Sequence, residues 1–417
     1  ATGSMVRHFI ENPDEALNWR DRPLTFNTSC HGCHVSQMQS NYDLESDAYS
    51  TTWLEPGINC ETCHGPAGEH IRRARAAGDQ PLPDPGLIVT REFTARQTND
   101  SCAPCHAKMF PLTDSFTPGD RYFDHFGLHA LENRDFYPDG RDLGENYTFT
   151  LWRLSPCTKS GEFDCLHCHT SSGRNRHTGE KADQACLPCH DEIVKNPAEH
   201  TFHPVGSEGS RCISCHMPKT EFARMVRHDH SMLPPTPATS IEFGSPNACN
   251  ICHSDRDAEW ANRWVTKWYG PEYQKPFQRR ARLIDDARRE KWGRLEEILA
   301  YISDPAENEI FKVSLVRLLS ACPDERKIPG LIRAAADPSP LVRSGAVTAL
   351  GYQLNPESVK VLLNAIDDDY RLVRVMAAAS LAGMPSRALP APDQARLRRG
   401  IREYEASVSY THLTLPT

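Results

Sequence analysis

From Ala258 onward the apolar positions fall three and four residues apart, the spacing of one face of an α-helix. Trp260, Trp264 and Trp268 recur every four residues and predict an aromatic stripe along a single helix. Further on, the pattern repeats with a period of 31 residues. Ile310-Phe311-Lys312 with Leu315 and Leu319 matches Leu341-Val342-Arg343 with Ala346 and Leu350, and then Leu372-Val373-Arg374 with Ala377 and Leu381. Asp-Pro or Asp-Asp turns precede the later copies. Each copy reads as a helix pair, and such pairs stack into an α-solenoid whose concave face often binds a partner. A plain helical cap on the preceding region is the alternative.

Before residue 258 no period is sustained. Residues 1–29 hold one amphipathic fragment with Trp19 and Phe26. His70–Ala77 reads as a basic helical piece, Gln80–Gly86 as a Pro-rich loop, and Leu233–Pro237 as an extended connector. The aromatic-rich stretch between residues 118 and 152 carries Pro-Asp-Gly and Leu-Gly turn signals and is expected to hold the few strands present. The predicted fold class is mostly α with long irregular loops. Residues 1–257 form one domain, 258–300 a helical linker and 301–407 the repeats. Residues 408–417, VSYTHLTLPT, resemble a translated sequencing adapter and are expected to be non-native, and Ala1-Thr2-Gly3-Ser4-Met5 looks like a cloning remnant.

The irregular region is organised by a motif, not a period. Cys-x-x-Cys-His occurs seven times: Cys30/Cys33/His34, Cys60/Cys63/His64, Cys102/Cys105/His106, Cys165/Cys168/His169, Cys186/Cys189/His190, Cys212/Cys215/His216 and Cys249/Cys252/His253. Fourteen of the sixteen cysteines lie in these copies. This is the attachment signature of c-type haem: two thiols form thioethers to the vinyl groups and the following imidazole reaches the iron. Zinc ribbons need two Cys-x-x-Cys units per metal and have no use for His after every pair, and seven is odd. Disulfide scaffolds are short and do not prescribe that His either. Seven covalent haems are therefore expected.

That expectation explains the composition. Only 39% of residues are hydrophobic and 32 are Pro, which suits a chain whose porphyrins supply apolar core. The formal charge of −8 grows with haem propionates, so nucleic acid is excluded as a partner and a cationic redox protein is favoured. No run of 18 apolar residues exists to span a membrane. Covalent haem attachment implies a periplasmic or extracellular protein whose export signal is missing from this sequence.

Seven irons held between two imidazoles each need seven distal His. The chain has 19 His. Setting aside the seven proximal ones, His31 and His167 inside motifs and His412 in the tail leaves nine. Of these, His70, His200, His203 and His230 are the first candidates, then His125 and His177, with His8, His129 and His228 competing for what remains. Met217 follows a proximal His too closely to ligate the same iron and reads as packing. Cys322 reads as a buried apolar residue, and Cys157 as a free thiol near a haem.

The segments CETCHGPAGEH, HTFHPVGSEGSRCISCHMP, RHDHSM and SPNACNICH resemble bacterial multihaem cytochromes c. Related in motif is the tetrahaem cytochrome that takes electrons from hydroxylamine oxidoreductase, and many members carry HEAT-like tails, which the Asp-x-x-x-Leu-Val-Arg-x-x-Ala pattern resembles. The likeness covers roughly residues 28–385. It implies a distal role for His70, which ends the Gly-Pro-x-x-Glu-His segment, and for His200 and His203, which precede Cys-x-x-Cys-His-Met-Pro. An additional N-terminal haem motif, common in the group, does not occur here. The leading reading is an electron carrier between redox proteins, and another, compatible with it, is a docking protein whose repeats recruit the redox partner. The rival is an oxidoreductase of small nitrogen or sulfur compounds with one open-site haem. No Cys-x-x-Cys-Lys of the ammonia-forming nitrite reductases is present, while Tyr122, Tyr137 and Tyr147 leave a Tyr-linked haem open.

Overall fold

The computed structural model describes residues 26, 34–39, 41–43, 45–46, 48–113, 115–143, 148–222, 225–385, 387 and 389–411. Helices dominate, and the strands among these residues form four two-stranded antiparallel sheets. Among the described residues of the stretch expected to hold the few strands, Phe126–Leu128 alone is a strand, paired with Met109–Pro111. The other pairings are Val35–Ser36 with Glu55–Pro56, Tyr42–Asp43 with Ala48–Tyr49, and Lys219–Phe222 with Met225–His228. Ladders of two to four residues are too short to show an alternating pattern, which is why the sequence concealed them.

The chain divides into two compact units, one built on His129–Val361 and the other on Leu17–Leu128 with Leu362–Thr417. In the first, helices Lys275–Arg288, Leu295–Ser303, Glu309–Leu318, Lys327–Ala334 and Pro340–Gly351 carry the core. Leu283, Ile284 and Ile298 are fully buried, and so are Ile310, Phe311, Leu315, Leu341, Val342 and Leu350 of the 31-residue pattern. Gly345 lets two of these helices approach closely, since a Cβ there would stand 3.1 Å from Val313. Asn308 and Ser339 cap two of them through Ile310 N and Val342 N. Arg343 closes the turn before its helix by donating to the Asp337 and Pro338 carbonyls at 3.0 and 3.1 Å, while Lys312, at the matching position of the preceding copy, pairs with the Asp337 carboxylate.

The motif-free stretch after residue 129 is docked on these helices. Leu131 N donates to Ser314 Oγ at 2.8 Å, and Arg317 pairs with Glu132 at 2.5 Å. Arg288 donates to the carbonyls of Leu131, Asn133 and Phe136. Burial pulls the Arg288 guanidinium down to about 10, so it still carries its charge at neutral pH.

In the second unit the last repeat copy compacts with residues 95–128. Arg371 N donates to Asp124 at 2.8 Å, and Arg121 bridges Asp124 and Asp369 while lying 4.1 Å from the centre of the Tyr370 ring. Arg374 repeats the turn-closing contact at the Asp368 carbonyl (2.9 Å) and pairs with Glu403. The units therefore do not divide where the composition changes.

Buried apolar side chains are unevenly spread. Among the described residues there are none before Ala103 and, between Leu154 and Leu233, Pro218 alone, in the two stretches that contain most of the motifs. No described helix is long and apolar enough to cross a membrane.

Candidate functional site

Most of the described motifs fold as about one helical turn, which brings Cys i, Cys i+3 and His i+4 to one side. Asn59 caps Cys60–His64 through Thr62 N, Asp164 caps Cys165–Cys168 through His167 N, and Asn247 caps Ala248–Cys252 through Asn250 N. Cys212–His216 is a helix of its own. Cys30 and Cys33 lie outside the described residues, as do His8, Trp19, Tyr147 and His412.

Two expected attachment residues, Cys105 and Cys189, sit differently from the rest. Cys105 is half-buried in the last turn of the 12-residue helix Ala95–His106, directly after Pro104, so the third motif ends a long helix instead of forming a short one. Cys189 is not helical. It is exposed in the turn that follows Gly179–Cys186, where His190 N donates to the Cys186 carbonyl at 3.1 Å. Pro188 brings no N–H to that turn and cannot extend the helix before it. The fifth motif therefore straddles a helix end, with Cys186 on one side of it and Cys189 on the other.

Three motif imidazoles each face an imidazole from outside the motifs. Ring centres are 6.3 Å apart for His169 and His230, 6.1 Å for His216 and His200, and 6.3 Å for His253 and His203. A metal–nitrogen bond of ~2 Å on each side, with about 1 Å from each nitrogen to its ring centre, gives roughly 6 Å. These spacings fit two axial ligands on one iron.

The rings are also oriented as ligands are. Nδ1 donates to a backbone carbonyl in His203 (Thr201, 2.6 Å), His216 (Met232, 3.3 Å), His228 (Met217, 2.6 Å) and His230 (His228, 2.8 Å). His64 and His70 do the same toward Ile88 (3.0 Å) and Pro85 (2.7 Å). A carbonyl accepts only, so the proton is held on Nδ1 and the Nε2 lone pair is turned outward, the usual arrangement of metal-bound imidazole. Burial depresses His216, and it pulls His230 down to about 4, which favours the neutral ligand form. His169 differs, with Nδ1 buried and unpartnered among the described residues.

Two histidines are used otherwise. His167 Nε2 bonds the Ala185 carbonyl at 2.9 Å. His125 has both nitrogens engaged: Nδ1 with the Ser115 carbonyl and Thr113 Oγ1 (2.5 and 2.9 Å), Nε2 with Asp120 at 3.2 Å. It lines a charged cavity of about 410 Å³ with Arg121, Asp124, Arg371 and Arg374. His70 and His177 are half-buried and stand outside the three pairs, as do His64, His106 and His190.

The thiols connect neighbouring motifs. Burial raises Cys63, and Cys102 of the next motif adds to it. The thiols of Cys186 and Cys212 hydrogen-bond each other, which raises the first and lowers the second. Burial pushes Cys215 up to about 11, with Cys249 and Cys252 adding to it. Cys168 is raised by burial and then by Cys157, so that extra thiol lies beside the fourth motif. Cys322 is buried, and all described cysteines are unbridged.

The tryptophan stripe faces the seventh motif. Trp260, Trp264 and Trp268 line a cavity of about 660 Å³ together with His253, His203 and Phe202. Phe202 stacks on Trp268 at 4.8 Å, and Trp260 packs on His253 at 4.8 Å. An apolar cavity of this size is within the ~300–1,000 Å³ of cofactor sites. In the other unit, Phe26 packs against Trp53 at 5.2 Å.

Sequence reasoning missed Arg141, Asp229 and Tyr269. Arg141 and Asp229 form a buried ion pair, and the Tyr269 hydroxyl donates to the His200 carbonyl. Their signal was there only in part: Asp229 lies between two candidate ligands, but Arg141 sits in a turn read for its Pro-Asp-Gly alone.

Residues 11–65, which include the first two motifs, match the family profile of cytochrome c554 and c-prime, and residues 295–391 match HEAT repeats. The chain resembles a multihaem c-type cytochrome with HEAT-like repeats. This cytochrome-like character supports covalently held c-type haem. A solved structure described as the outer cell wall cytochrome OcwA is similar at 15% identity, covering 86% of this chain and 76% of that one, with a TM-score of 0.40. No curated protein matches the chain.

Proposed function

We propose that the chain is an electron carrier of seven covalent haems, working between redox partners outside the cytoplasm. The observation that carries this reading is the set of three imidazole pairs, His169/His230, His216/His200 and His253/His203, each at the spacing of one iron. Bound haem would supply a one-electron iron couple, and an iron held by two imidazoles has no position left for a substrate.

The chain's own residues do the rest. The motif cysteines, Cys105 and the exposed Cys189 among them, would hold the macrocycles covalently, and thiols of successive motifs lie close together from the fourth to the seventh. Carbonyls of Thr201, Met232 and His228 fix the tautomer and aim of His203, His216 and His230. The Trp260–Trp264–Trp268 stripe keeps water from the seventh site, where a drier surrounding shifts the iron couple. Distal ligands for His34, His64, His106 and His190 would come from His70 and His177, with His8, His129 and His228 in reserve. Docking of a partner through the repeats belongs to the same reading.

One observation favours the oxidoreductase reading. With both nitrogens of His125 engaged, the distal candidates narrow from nine to eight for seven irons, and an iron that none of them reached would be open to a small nitrogen or sulfur compound. Carbon monoxide separates the two. Added to the reduced, haem-loaded protein, it should leave the absorption spectrum unchanged. A change of about one haem in seven would replace the carrier by an enzyme fed by a haem chain.

A further inference from the structure

We propose that Arg141 and Asp229 are positioning residues that aim His230 at His169, an inference that rests on reading that pair as the axial ligands of the fourth haem. Arg141, Asp229 and Ser231 are 6%, 2% and 0% exposed. Both ends of the Arg141 fork go to the one stretch that carries His230. Nη1 pairs with Asp229 Oδ2 and donates to Ser231 Oγ at 3.3 Å, while Nη2 donates to the carbonyls of Leu233 and Pro234 at 3.2 and 2.9 Å. Asp229 Oδ1 accepts from Ser231 N at 2.6 Å, and Asp229 N donates to the Pro218 carbonyl at 2.9 Å. The residues on either side of His230 are thus clamped in place.

Arg141 is anchored in turn. Its backbone N–H donates to Asp139 Oδ1 at 3.2 Å, and Asp139 Oδ2 accepts from Thr239 and Ser245 at 2.7 and 2.6 Å. A buried ion pair adds little net stability over an apolar pair of the same size, but it specifies one geometry. A planar fork with several acceptors does so better than the point charge of Lys. What the arrangement specifies is the direction of one imidazole.

The test uses the full haem-loaded chain as parent, His230→Ala, Arg141→Lys, Asp229→Asn and the His230→Ala/Arg141→Lys double variant. Haem content is counted as pyridine haemochrome, and reduced samples are titrated with carbon monoxide. His230→Ala should add about one carbon-monoxide-reactive haem per chain over the parent. Arg141→Lys and Asp229→Asn should each add a measurable part of that same haem at unchanged haem content, and the double variant should add no more than His230→Ala alone. Parental reactivity in both Arg141→Lys and Asp229→Asn overturns the proposal, as does an additive double variant. If His230→Ala opens no haem, the axial-pair reading itself fails. Should Arg141→Lys not load haem, the apolar pair Arg141→Met/Asp229→Leu replaces it. New reactivity there supports the positioning role, and parental silence overturns it.

Discussion

Two regions of the first unit show opposite ways of holding a chain together. From Lys275 to Gly351 the helices bury Leu, Ile, Val and Phe against one another, with Ile310, Phe311, Val313 and Leu315 at 0% exposure in a single helix. From Cys165 to His216 the described chain buries no apolar side chain, and short turns are joined by caps, carbonyl-bound imidazoles and neighbouring thiols. One region is its own core. The other is arranged around the space between its imidazoles, the place where porphyrin would supply the missing apolar area. Side chains that look idle in the second region, such as exposed Ile193 and Phe202, are read differently once this is seen.

Withholding haem should separate the regions most sharply. In the haem-free chain, amides from Cys165 to His216 should exchange with deuterium within the first minutes, while those of Glu309–Leu318 and Pro340–Gly351 stay protected for hours. Equal protection would show that the motif region has a sufficient core of its own. Next in size is a pair of truncations followed by denaturant unfolding. Phe311→Ala should cost ~3–5 kcal/mol by opening a cavity under Arg280 and Tyr301. Ile193→Ala, in the short helix Asp191–Lys195, should cost below about 1 kcal/mol. The smallest effect is also the most specific. Trp264→Ala should leave the haem-free chain almost unchanged yet destabilise the loaded one by ~1–3 kcal/mol, because the indole gains its apolar cover only in the filled cavity. A loss of equal size in both forms would make Trp264 an ordinary packing residue.

Much of the repeat region was legible because a helix writes its packing as a local period. The 31-residue match of Phe311, Val342 and Val373 named core positions that the structure buries, all three of them at 0% exposure. The tryptophan stripe was equally plain, and it lines a cavity as a single face should. The motifs were legible as chemistry, since two thiols and an imidazole on one turn require nothing beyond local spacing. Their settings were not: the same five-residue spacing ends a long helix at Cys105 and leaves Cys189 in an open turn, because the residues before each motif differ. Pairing across distance stayed hidden as well. The composition change at residue 258 suggested a boundary, yet the Arg371 backbone N–H donates to Asp124 and the Arg121 guanidinium pairs with Asp369, joining residues from both sides of it.

By itself, then, the sequence determined that imidazoles and thiols would gather and that helices would stack at the far end, because both are encoded within a few residues of chain. Only the tertiary structure decided that His230 faces His169, that His200 faces His216 and that His203 faces His253. It also set His125 apart from them by engaging both its nitrogens. Which imidazole meets which depends on where long loops are anchored, and those anchors, such as Arg141 on Asp229, join residues too distant in sequence for any period or spacing to reveal.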